Sequence, residues 1–185
     1  MKKFLAVLIA VLAVSFAPVY GAESADIISL KLGSPLVYDF EYEHAFPSKI
    51  GVTLGGTVLS VSSTDESYSL TYINAGVRKY FSDNSPKGGF VSGRLGMVMW
   101  SVEEDVLDTN TMTTNTFTGD ATMMVAIASI GYRWIWGGFT LCPEFGFGYF
   151  SLDEIDLEYG SQKRKYDVSF SGVMPTLNLS MGLKF

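Results

Sequence analysis

From Ile28 to Phe185 apolar residues return at every second position, and turn-rich segments break the run into pieces. A period of two marks a strand with one apolar and one polar face. The C-terminal stretch is the clearest, with Leu177, Leu179, Met181, Leu183 and Phe185 alternating with Asn178, Ser180, Gly182 and Lys184. Upstream, Leu36, Tyr38, Phe40 and Tyr42 oppose Asp39, Glu41 and Glu43, while Ile50, Val52 and Leu54 oppose Gly51, Thr53, Gly55 and Thr57. Within Tyr68–Tyr80, Ile73, Ala75 and Val77 oppose Asn74, Gly76 and Arg78. Within Gly89–Ser101, Val91, Leu95, Met97 and Met99 oppose Ser92, Arg94 and Gly96. Phe139, Leu141, Phe145, Phe147 and Tyr149 oppose Thr140, Cys142, Glu144, Gly146 and Gly148. Thr122–Trp136 is nearly all apolar, and Arg133 is assigned to its polar face because Tyr132, Trp134 and Trp136 then share the other. Such a polar face can meet water or the interior of a barrel, and alternation alone does not choose.

Eight strands are predicted, the first over 27–33 and the second over 36–44. The apolar parity does not change across Pro35, so 28–44 could also form one long strand, which would leave seven. Short turns are expected near 44–49 and 81–88 and at Gly137–Gly138, and long polar loops at 102–120 and 151–165. Alternating short and long connections are typical of outer-membrane barrels. In the closing strand the apolar parity switches from Val168 and Phe170 to Val173 and Leu177, which predicts a bulge near Gly172–Pro175.

The 185 residues suit one domain. Lys2 and Lys3 precede a charge-free apolar run, Phe4 to Val14, and small residues follow to Ala22. This is the pattern of a cleaved secretory signal peptide, expected over 1–21, with the barrel over 22–185. Without Lys2 and Lys3 the basic residues fall from 13 to 11 against 19 acids, a net charge near −8. That balance excludes nucleic acid as a partner, since binding it requires clustered Lys and Arg. Cys142 is alone, so no intramolecular disulfide can form, and it is expected to pack inside the barrel as a small neutral residue.

The closing strand, with Leu183 before a final Phe185, resembles that of the bacterial outer-membrane β-barrel proteins. In that family a terminal aromatic residue is read by the barrel-assembly machinery. The resemblance implies an all-β, eight-stranded antiparallel up-and-down transmembrane β-barrel in the outer membrane. Its implied partners are outer-membrane lipid, lipopolysaccharide and, through Leu183 and Phe185, the assembly machinery. Backbone polar groups in a bilayer must be paired within the protein, so strands cross only as a closed barrel. Rings gather near the two strand ends as aromatic girdles do: Tyr42, Phe46, Tyr80, Phe81, Trp134, Trp136, Phe139 and Phe185 at one, Tyr68, Trp100, Tyr149 and Tyr166 at the other.

The polar face carries Asp39, Glu41, Glu43 and Glu144 together with Arg78, Arg94, Arg133 and Lys184. A soluble ligand-binding barrel needs an apolar interior, whereas an eight-stranded barrel is just wide enough for its side chains to fill. These eight residues are expected to form a salt-bridged plug, in which they resemble the interiors of OmpA/OmpX-type barrels. A structural or surface-interaction barrel working through its external loops is the favoured function, with a narrow solute channel as the alternative. A lipid-modifying enzyme ranks third, because His44 is expected in an exposed turn with no serine assigned to it. No cofactor is expected. One His and one Cys cannot build a zinc site. The acidic runs, Glu103–Asp105 with Asp108 and Asp153–Glu154 with Asp156 and Glu158, match no calcium-loop spacing and read as solvated.

Overall fold

The computed structural model describes residues 24–33, 38–62, 66–83, 85–108, 113–159, 162–166 and 170–185. The expected signal peptide lies outside these. Nine strands follow one another: β1 (Ala25–Gly33), β2 (Tyr38–Ala45), β3 (Ile50–Ser62), β4 (Glu66–Tyr80), β5 (Gly88–Asp108), β6 (Thr113–Trp136), β7 (Phe139–Tyr159), β8 (Gln162–Tyr166) and β9 (Phe170–Lys184). Each pairs antiparallel with the next from β1 to β7, and β9 closes the ring between β7 and β1. β8 and β9 lie along the same edge of β7, β8 on Ile155–Tyr159 and β9 on Phe139–Leu152. Together they form one stave, so the nine strands make an eight-stave closed barrel. At the seam Asp26 N donates to Phe185 O at 3.1 Å and Phe185 N donates back to Asp26 O at 3.0 Å.

β1 and β2 are separate strands, paired through Leu30↔Phe40 and Lys31↔Asp39, so the stave count of eight holds against the seven-strand alternative. The tight turn at Gly137–Gly138 joins Trp136 to Phe139, its two φ values being 61° and 142°. Both lie where a Cβ is disfavoured, which is why glycine fills the two positions.

Two expectations are corrected. The described residues of 102–120 are strand rather than loop, since β5 and β6 continue paired to Asp108↔Thr113, and β7 with β8 similarly reaches Tyr159↔Gln162. Apolar alternation stops in these stretches but pairing does not, because the β5–β6–β7–β8 ladder is held by backbone hydrogen bonds, which any side chain permits. Its Thr-rich composition favours extended backbone. The expected bulge at 172–175 is absent, as the β7–β9 register runs unshifted from Leu152↔Phe170 to Phe139↔Leu183. The described β1–β9 pairing begins only at Gly33↔Asn178. Beyond it, among the described residues, Val173 and Met174 are both exposed. The bulge that does occur lies opposite, where the β6–β7 register shifts between Ala121 and Met123.

Faces follow parity around the ring. Ile28, Phe40, Leu54, Ile73, Val91, Ile130, Phe145 and Leu177 stand exposed on the outer wall. Lys31, Glu41, Thr53, Arg78, Arg94, Arg133, Glu144 and Asn178 are buried within it. Cys142 is inside as well, against Tyr80 and Phe90.

Candidate functional site

The lumen is built in three levels. At the end carrying the short turns and the β1–β9 seam, Tyr80, Phe90 and Cys142 form an apolar floor. At the other end Tyr72 (β4), Val98 (β5), Val125 and Ile127 (β6) and Phe150 (β7) form a second apolar cluster, with Leu70 and Met123 packed on it. Most of the charged side chains lie between the two, while Arg133 and Glu43 lie beside the Tyr80 ring at the first.

Of the eight residues expected in the charge network, the structure brings seven together: Asp39, Glu41, Glu43, Arg78, Arg94, Arg133 and Glu144 are all buried. Lys184 is not among them. It is exposed at the rim, where its backbone N donates to Gly138 O at 2.7 Å, because β9 ends there below the level of the network. Its place as the fourth cation is taken by Lys31, buried in the lumen and ion-paired with Glu41. The signal for Lys31 was present in its alternation with Ile28, Leu30 and Leu32.

The ion pairs run across the barrel. Arg78 on β4 reaches Glu41 on β2 at 2.7 Å, and also pairs with Glu43 on β2 and Glu144 on β7. Arg94 Nη2 donates to Glu144 Oε2 at 2.8 Å. Arg133 on β6 lies 2.8 Å from Glu43 on the opposite side of the ring, an ion pair whose angle falls outside hydrogen-bond geometry. Arg133 Nη1 instead donates to the Tyr80 hydroxyl at 2.7 Å, and that hydroxyl donates to Glu43 at 2.5 Å. Asn74 Nδ2 donates to Asp39 at 3.1 Å. Phe90 lies beneath the Arg78 guanidinium, 5.0 Å from ring centroid to Cζ. Gly76 makes room for Arg94, since a Cβ there would collide with the arginine stem. Among the described residues the buried charges are four cations and four carboxylates, so the level is neutral.

Tyr80 was expected in the outer aromatic girdle and is instead 1% exposed inside the lumen. It continues the inward parity of Asn74, Gly76 and Arg78, and its hydroxyl links a carboxylate to a guanidinium. Phe81, Trp134, Trp136, Phe139 and Phe185 do face outward near that end, and Tyr68, Trp100 and Tyr149 face outward farther along. The Tyr166 side chain and those of Glu104, Asp105, Asp108, Asp153, Glu154, Asp156 and Glu158 lie outside the described residues.

His44 is a residue of β2 rather than of a turn. It is half-buried, with Nδ1 2.7 Å from Asp26 Oδ1 and its ring edge-on to Phe46. The Tyr42 hydroxyl donates to the same Asp26 oxygen at 2.6 Å, so the three side chains tie β1 to β2 beside the seam. In the turns, Lys49 pairs with exposed Asp83, and the hydrogen bond from Lys49 holds that carboxyl below the usual carboxylate range.

The two kinds of ion pair predict different costs. Arg94→Ala leaves buried Glu144 short of a cation and is expected to lower the stability of the detergent-folded barrel by about 3–5 kcal/mol. Lys49→Ala breaks an exposed pair and is expected to change little. Thermal midpoints of the shift between folded and unfolded gel bands measure both, and equal midpoints would show that the lumen charges are solvated.

No family model matches the chain, and no curated protein sequence does. Several solved structures are similar to it. Among them are Ail, the attachment invasion locus protein of Yersinia pestis (13% identity, 89% of this chain and 100% of that one, TM-score 0.48), a major outer membrane protein from Thermus thermophilus (12%, 89% and 100%, 0.45) and CarO of Acinetobacter baumannii (14%, 88% and 97%, 0.42). At these scores the architecture rests on the chain's own strand pairing.

Proposed function

We propose that this chain is an integral outer-membrane barrel with a sealed lumen, anchored by its wall and acting through the strand extensions at its far end. One observation carries the membrane placement: large apolar side chains are exposed all round the outside of a closed ring whose charged residues are buried inside. Water would favour the inverse distribution. Hydrocarbon favours this one, because closure leaves no unpaired backbone on the wall and the charges neutralise one another within.

The lumen geometry supports a structural or surface-interaction role over a channel. Cross-barrel pairs such as Arg133–Glu43 and Arg78–Glu144 occupy the bore, the first beside Tyr80, and an apolar cluster fills the bore farther along. A conducting path would need a continuous polar lining. Beyond the barrel, β5, β6 and β7 carry paired backbone well past the roughly 9–11 residues that one crossing needs. They give a rigid platform for contacts outside the membrane.

Cell fractionation with an unheated-versus-boiled gel comparison tests the placement. The protein is expected in the outer-membrane fraction, with a mobility that changes on boiling. Recovery as a freely soluble protein would refute the proposal. Planar-bilayer recordings test the seal, and reproducible conductance steps from purified protein would establish a channel in its place.

A further inference from the structure

The outer wall is not uniformly convex. Between β4 and β9 two hollows share Ala128 and Phe147, the larger about 550 Å³ and the smaller about 330 Å³. Small outward residues, Gly93, Ala126 and Ala128, stand here among Leu95, Phe147 and Tyr149. A Cβ built on Gly93 would meet no atom within 4 Å, so the depression is open at that point. The lining is almost wholly apolar.

The lower edge of this groove is cationic. Lys79 is the next outward position on β4 after Val77, which lines the larger hollow, and it pairs across to Val91, which lines the smaller. Its side chain is exposed and bends toward the turn end, where Nζ donates to the Ser48 carbonyl at 3.1 Å. Lys87, also exposed, immediately precedes β5. Asp83, the acid described in the adjoining turns, is already paired with Lys49. A local excess of positive charge thus borders an apolar groove, on a chain whose overall charge is −6.

We infer that this groove holds one anionic glycerophospholipid, its phosphate against Lys79 and Lys87 and an acyl chain along Val77, Gly93, Ala128 and Phe147. The inference rests on the membrane placement proposed above. A lysine ammonium meets phosphate as a point charge. A chain lying in a concavity gains dispersion contacts on more sides than one lying on a convex wall. Lys79 follows Val77 toward the turn end of β4, so the charge stands nearer the bilayer edge and the groove runs inward from it.

The test uses the full barrel folded in detergent, offered phosphatidylglycerol or phosphatidylcholine and followed by native mass spectrometry. One phosphatidylglycerol is expected to stay bound under conditions that strip phosphatidylcholine. Lys79→Gln should reduce that preference about fivefold, the worth of one lysine at an anionic membrane surface. Gly93→Leu, or Ala128→Leu if that variant misfolds, should abolish retention of phosphatidylglycerol under the same conditions. Equal retention of the two lipids by the unaltered barrel, or no effect of filling the groove, would overturn the inference. So would a dimer that Gly93→Leu dissociates, since the groove would then seat a second copy. Vesicle insertion measured in parallel separates the two levels of failure: a barrel that inserts without lipid preference refutes only this site, whereas one that does not insert refutes the membrane placement itself.

Discussion

Replacing Arg78 with alanine is expected to be the most damaging single change in the lumen, lowering stability by about 3–5 kcal/mol. The guanidinium is 1% exposed and pairs with Glu41, Glu43 and Glu144, carboxylates from two sides of the barrel. Its loss leaves four buried carboxylates facing three cations. Most of the cost comes from the anions left behind rather than from the attraction removed. A double variant, Arg78→Ala with Glu144→Gln, should therefore be less destabilised than the sum of its parts, since it removes a cation and an anion together. Denaturant titration of the folded band measures all three proteins. A loss for Arg78→Ala below about 1 kcal/mol, the range of solvated pairs, would mean that water reaches the network. The sealed-lumen assignment would then fail with it.

The second large effect concerns the outside. Ile73 lies at the centre of β4 and is 49% exposed on the outer wall, paired to Gly56 on one side and Met97 on the other. Ile73→Arg is expected to cost about 2–4 kcal/mol of folding stability in vesicles, the penalty for a cation near the bilayer midplane. Ser62→Arg, at the exposed far end of β3, should cost only about 0–1 kcal/mol, because the penalty fades toward the interface. In a barrel surrounded by water both changes would be harmless, and Ile73→Arg would improve solubility. Equal behaviour of the two variants in vesicles would therefore contradict the membrane placement, which no lumen substitution can do.

The strands, their order and their faces were legible along the chain because a strand in a two-sided wall repeats every two residues. Alternation therefore placed Glu41 and Arg94 inside, and Phe147 and Leu177 outside, with no knowledge of their neighbours. Parity also contained Lys31 and Tyr80, although composition drew attention away from both: a lysine in a short first strand, and a ring that suited a girdle. Height along the barrel was not legible. Lys184 has the parity of Ser180, and only the end of β9 at the seam puts it on the rim. Nor was the reach of pairing legible in the β5–β6 extension, since apolar alternation stops there while the backbone pairing continues to Asp108↔Thr113.

Periodicity in the amino-acid order thus determined an eight-stave barrel, apolar without and charged within. Which charges meet was settled by ring closure alone. Arg133 and Glu43 lie 90 positions apart along the chain, and only the curvature that brings β6 opposite β2 puts them 2.8 Å apart. The groove beside Gly93 is likewise a property of the assembled wall, formed where small residues from adjacent strands fall side by side. Local sequence specifies which way a side chain points, but contact across a lumen depends on the whole circumference.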